Sequence, residues 1–186
     1  LLLLCFAALE PRFGEAPSPA QNIVVILDAS ASMQSSDGSP KGDSRFDVAL
    51  KRIDTLLRSL GNDDAVMLIQ MTHQATPISR FERDHQLLRS KLKELHATDT
   101  PAKPIQAMSL AMDALSNRKR PHIVWVGDCA YPTQDLDRIR ETFAPKEASS
   151  HSLANIGLKF VSVGKSASNV GITRFNARRY ISNTLS

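Results

Sequence analysis

Asp28, Ser30 and Ser32 occupy alternate positions on one short stretch, directly after the apolar run at residues 23–27. A carboxylate and two hydroxyls give three oxygen donors with no nitrogen or sulfur, which suits a hard cation such as Mg²⁺ or Mn²⁺. The run Ile23, Val24, Val25, Ile26, Leu27 has no polar alternation. It therefore predicts a strand buried on both faces, as in a parallel sheet. Ligands of open α/β sheets bind just beyond the carboxyl ends of such strands. A second acid, Asp128, follows another apolar run at residues 123–126, with Gly127 between them. Adjacent parallel strands lie roughly 4.8 Å apart, so two carboxylates at neighbouring strand ends can share one cation, directly or through water. Taken singly, Asp28 and Ser30 are better read as a cap on a loop or helix start; the combined pattern favours the cation.

Other chemistries find less support. Aspartate-nucleophile phosphatases place an Asp at a first strand end but follow it with a second Asp two residues on, where this chain has Ser30. There is no G-x-S-x-G elbow, Walker loop, G-x-G-x-x-G or H-E-x-x-H. The histidines at 73, 85, 96, 122 and 151 lack metal-ligand spacing. Cys129, beside Asp128, reads as a small packing residue, since a neighbouring carboxylate disfavours its thiolate. No catalytic residue is assigned.

The elements that must position these oxygens follow from periodicity. After the Asp28 loop, residues 34–43 are polar, with Asp37-Gly38 and Pro40 as turn signals. Ser44 and Asp47 form an approximate capping box for a helix carrying Phe46, Ala49, Leu50, Ile53, Leu56, Leu57 and Leu60 at helical spacing, with Gly61 as its stop. Residues 65–69 predict a second buried strand, and residues 76–81 a weaker edge strand containing Pro77. Asp84 can cap a helix with Leu87, Leu88, Lys91, Leu92 and Leu95 on one face. Further helices are expected at 104–115 and 133–143, the next central strand at 122–126, and a last core strand at 158–163. Strands alternating with helices predict a three-layer αβα, Rossmann-like fold with a mostly parallel sheet.

The chain of 186 residues is 42% hydrophobic and 23% charged, as expected of a globular domain with a real core. Its net charge of +4 is mild, and short basic runs such as Arg118-Lys119-Arg120 read as solvated loops, so no nucleic-acid partner is expected. Residues 1–9 are apolar; as a helix they span about 14 Å, less than half a bilayer core. They are expected to be the end of a transmembrane helix or other hydrophobic anchor. Glu10, Arg12 and Glu15 follow, and this flank, without a positive excess, places the domain on the extracytoplasmic side of a membrane. Residues 10–22 read as a Pro-containing linker, 23–165 as the domain, and 166–186 as a final edge strand or the start of a β-rich region.

A buried strand ending in Asp28-Ala29-Ser30-Ala31-Ser32-Met33, alternating helices, and a second strand ending in Gly127-Asp128 resemble the von Willebrand factor type A (VWFA) family over about residues 21–165. The apolar start and short linker resemble bacterial membrane-anchored members of the BatA type. The resemblance implies a metal-ion-dependent adhesion site (MIDAS) in which Ser30 and Ser32 coordinate Mg²⁺ directly, and Asp28 and Asp128 directly or through water. It further implies a binding module without catalysis, whose open metal position takes an acidic side chain from a protein partner. The family's loop Thr falls on Ala102 in the simplest register, counted back from Ala107-Met108. A hydroxyl from Thr98 or Thr100 serves only if the loop is longer, so weak cation binding is expected. The alternatives are a metal-dependent hydrolase or phosphoryl-transfer enzyme using Asp28, and a structural VWFA domain that binds no metal.

Overall fold

The computed structural model describes residues 19–143 and 156–164. Five strands, β1 (Asn22–Asp28), β2 (Ala65–Met71), β3 (Ala75–Pro77), β4 (Pro121–Gly127) and β5 (Gly157–Ser162), form one sheet in the order β3-β2-β1-β4-β5. All pairings are parallel except β2 with β3. The helices are α1 (Arg45–Ser59), α2 (His85–Lys93), α3 (Pro104–Leu115) and α4 (Thr133–Phe143).

The pleat of β1 sorts its apolar run between two cores. Ile23, Val25 and Leu27 pack with Ala49, Ile53 and Leu57 of α1 and Leu88 and Leu92 of α2. Val24 and Ile26 face the opposite layer, with Ala107, Met108, Ala111 and Leu115 of α3 and Ile139 of α4. Each fully buried aliphatic side chain contributes about 1.5–3 kcal/mol, so a strand buried on both faces anchors the fold. This is the three-layer αβα architecture expected from the periodicity.

The helix starts follow their caps. The Ser44 hydroxyl accepts from the Asp47 N–H at 3.0 Å, and the Asp47 carboxylate accepts from the Ser44 N–H at 3.3 Å, completing the capping box. The Asp84 carboxylate accepts from the N–H groups of Gln86 and Leu87. Pro104 opens α3 at a position whose N–H would have no helical partner.

Three expectations need correction. The edge strand expected at 76–81 is the three-residue β3, and Glu82 makes only an isolated bridge to Val66. Leu87, assigned to the inner face of α2, is 42% exposed because only Leu88 and Leu92 sit deep against the sheet. The last strand is half-exposed rather than a core strand; among the described residues only β4 pairs with it, and Phe160 is 43% exposed. Residues 1–18, with the apolar start and most of the linker, and residues 166–186 lie outside the described residues.

Candidate metal centre

Asp28 is the last residue of β1, and β4 ends beside it in the register Leu27 to Val126. Parallel pairing thus brings Asp28 and Asp128 to the same, carboxyl, end of the sheet. Beyond Asp28 the chain leaves β1 in a 3-10 turn at Ala31–Gln34, held down by the fully buried Met33. Ser30 precedes the turn in extended conformation, and its hydroxyl lies 3.3 Å from that of Ser32. One hydrogen bond between two hydroxyls leaves lone pairs on both oxygens.

The segment before α3 is stitched to this loop. Thr98 donates from its hydroxyl and its N–H to Ala29 O, at 2.9 and 2.8 Å. Ala31 N–H donates to Thr100 O at 3.0 Å. Since Thr98 spends its hydroxyl proton on Ala29, the 2.8 Å contact between the two threonine hydroxyls must be donated by Thr100. Thr100 also accepts from the His73 N–H at 3.3 Å. Ala102, the position picked by the simplest register, packs against the α3–α4 core instead. The two threonines therefore stand beside the Asp28 loop.

Asp28 is fully buried. Its Oδ1 accepts from the Ser30 N–H at 2.9 Å, and its Oδ2 accepts from the Tyr131 hydroxyl at 2.6 Å. Burial pushes its carboxyl above the usual carboxylate range, opposed by hydrogen bonds from Ser30 and Tyr131 and reinforced by the nearby Asp128 charge. Burial and the Asp28 charge likewise hold the Tyr131 hydroxyl well above its ordinary value. Gly127 lets these groups meet, because a Cβ there would lie 2.7 Å from the Tyr131 hydroxyl and 2.8 Å from the Asp28 Cβ.

Asp128 has a different environment. Its Oδ1 accepts from the Ala130 N–H at 3.0 Å, and its Oδ2 from Arg45 Nη1 at 2.8 Å. Arg45, only 2% exposed at the first turn of α1, also grips Asp37 through Nε at 2.6 Å and Nη2 at 2.8 Å. Asp37 reaches it because Gly38 lets the preceding loop press against Ser44, where a Cβ would fall 2.6 Å from a backbone oxygen. Cys129 is half-buried in the left-handed region, at φ 58°, and packs against the α3–α4 core. Burial and the two aspartates push its thiol up, in keeping with a packing role.

Arg45 and Tyr131 were not among the expected site residues. The signal for Arg45 was a basic residue in the first turn of a helix, where the dipole disfavours it. For Tyr131 it was Trp125 inside a buried strand, whose N–H needs an acceptor. The oxygen-only set of two carboxylates and four hydroxyls fits a hard cation. Among the described residues no group of three or more His, Cys, Asp or Glu could hold a metal.

The model of the von Willebrand factor type A domain matches residues 23–130. Comparison with curated protein sequences gives no significant match. Among solved structures, BatB from Bacteroides thetaiotaomicron is similar at 18% identity and a TM-score of 0.59, covering 77% of this chain and 66% of that one. An aerotolerance-related membrane protein from Bacteroides fragilis is similar at 20% identity and a TM-score of 0.59, covering 86% and 78%. A von Willebrand factor type A protein from Catenulispora acidiphila, at 15% identity and a TM-score of 0.55, covers 76% and 32%. At these identities the likeness is one of fold. With the family model matching more than half of its length, the chain belongs to the von Willebrand factor type A domain family.

Proposed function

We propose that this VWFA domain is a metal-ion-dependent protein-binding module, tethered to a membrane and without catalysis of its own. The observation that carries this reading is the convergence of Asp28, the paired hydroxyls of Ser30 and Ser32, and the Thr98–Thr100 pair at the carboxyl ends of β1 and β4. Ser30 and Ser32 would hold Mg²⁺ or Mn²⁺ directly, Asp28 and Asp128 directly or through water, and Thr100 would add a further oxygen. A hard cation whose shell includes neutral hydroxyls keeps enough positive charge to attract a carboxylate from a partner. Asp28 is fully buried and accepts hydrogen bonds at both oxygens, which supports a holding role over nucleophilic attack.

Affinity for the ion is expected to be weak, because Arg45 already neutralises Asp128. Membrane attachment rests on the apolar residues 1–9 and on the Bacteroides fragilis protein of like fold, described as a membrane protein. Among the described residues no helix is long and apolar enough to cross a membrane. The extracytoplasmic placement predicts digestion of the domain by protease added outside intact cells once outer barriers are opened.

Capture of partners with Mg²⁺ or with chelator tests the reading. A partner retained only with Mg²⁺, and lost from Ser32→Ala, supports it. Metal-independent capture would favour a structural domain, and metal-dependent turnover abolished by Asp28→Ala would favour the enzyme.

A further inference from the structure

Beside the Ser30 side chain of its own loop, Asp28 is held by Tyr131 from the loop after β4, and Tyr131 in turn by Trp125 of β4. Trp125, fully buried on β4, donates its indole N–H to the Tyr131 hydroxyl at 2.9 Å. An indole nitrogen can only donate, so the tyrosine oxygen is the acceptor there and its own proton points to Asp28 Oδ2, 2.6 Å away. Charge-assisted O–H···O⁻ bonds fall in this short range. The two rings also pack at 5.7 Å between centroids and are tilted by 58°. The order of donors therefore runs from Trp125 through Tyr131 to the Asp28 carboxyl.

Packing confines the chain of bonds. Tyr131 is 9% exposed, and Gly127 clears the space in which its hydroxyl reaches Asp28. The Asp28 loop itself supplies the Ser30 N–H at Oδ1 and the Ser30 side chain. A further donor, the Tyr131 hydroxyl, comes from the loop after β4 and is itself held by Trp125. Groups that bond the far side of a metal ligand orient it, and their loss typically weakens metal binding 10–100-fold.

We propose that Tyr131, locked by Trp125, is the positioning residue of the cation site: it fixes the Asp28 carboxylate and links cation arrival to the environment of Trp125. This rests on the metal-binding reading above. Trp125 is the chain's single tryptophan, so its fluorescence reports on the Tyr131–Asp28 contact without added label.

The test uses the 186-residue chain, titrated with Mn²⁺ and Mg²⁺ by calorimetry and by tryptophan emission. In the parent chain the emission should change with the same midpoint as the heat. Tyr131→Phe, which keeps the ring and removes only the hydroxyl, should weaken binding at least about tenfold and abolish the emission change. Trp125→Phe, which keeps the Tyr131 hydroxyl and removes the indole N–H that holds it, should weaken binding in the same direction by a smaller factor; it stands in, read by heat alone, if Tyr131→Phe does not fold. Affinity is read well below each variant's melting temperature, so lost stability alone would leave it unmoved. Parent binding with affinity unchanged in a folded Tyr131→Phe would overturn the positioning role and leave the metal site standing. No heat from the parent chain at 10-millimolar-order metal would overturn both.

Discussion

Arg45 is the residue on which the charges of the site balance. Its guanidinium is buried between Asp37 and Asp128, and the Asp128 side chain is itself only 3% exposed. Removing one partner of a buried pair leaves an uncompensated charge and costs about 3–5 kcal/mol. Arg45→Met should lower unfolding stability in urea by that amount; a loss below about 1 kcal/mol would mean that the pair behaves as a solvated one. Asp28 acts in the opposite sense. Its folded pKa is raised above the ordinary 3.8, so its contribution to stability is fully present below that value and is lost as pH rises through the folded pKa. Asp28→Asn should therefore leave the metal-free domain at neutral pH no less stable than the parent, with a flatter fall in stability as pH rises above about 4. A lower melting temperature at pH 7 would show that the hydrogen bonds outweigh the desolvation. Asp28, Ser30, Ser32 and Asp128 were legible as single residues because a carboxylate or hydroxyl after an apolar run is visible in one dimension. Arg45 and Tyr131 were not, since the site aspartates they bond lie 83 and 103 positions away.

At the scale of elements, α1 both fills the first core and delivers Arg45, so its start must be fixed. The capping box does this: Ser44 and Asp47 satisfy each other's backbone N–H groups one residue before Arg45. Ser44→Ala should cost about 0.5–2 kcal/mol, measured by denaturant unfolding, and a null effect would assign the start to the Arg45 N–H bond with Ser35 O instead. The link between α1 and α2 is lighter. Asp54 on α1 is held below the usual carboxylate range by Arg89 of α2, then by Arg58. Its stabilising share is present above pH 3.8 and fades as pH falls through the depressed value. Elements with two-sided or strictly helical periodicity, β1, β2, β4 and α1, were readable because burial on both faces or on one stripe dictates residue type. Misreading β5 has a physical cause. Leu158, Phe160 and Val161 look like a core strand, but a strand paired, among the described residues, on one side leaves apolar groups half-exposed, and pairing is not written in composition. Likewise β3 shrank because Pro77 has no N–H to extend a ladder.

For the molecule as a whole, parallel topology places every donor of the candidate site at one edge while the stability that supports it resides in the two cores behind. Asp28 touches both: it ends β1, whose odd and even residues belong to opposite cores, and it is bonded to Tyr131 of the second core. A cation bound at that edge is therefore bound to the folded state alone, because the unfolded chain does not bring β1, β4 and the Thr98–Thr100 segment together. Ligand linkage then gives the size of the effect. With a dissociation constant near 1 mM, about 10 mM Mg²⁺ stabilises the fold by ~1.4 kcal/mol. For a domain of this size that is a rise of roughly 3–6 °C in melting temperature. The rise should be present in the parent chain and absent from Ser32→Ala, which removes a proposed ligand without touching the Asp28–Tyr131 contact. It should persist at high sodium chloride at constant Mg²⁺, because sodium screens diffuse charge but lacks the divalent charge needed at the site. An equal rise in parent and Ser32→Ala would identify general charge screening on a mildly basic molecule. A rise of more than about 10 °C would show a site far tighter than the Arg45–Asp128 pair suggests.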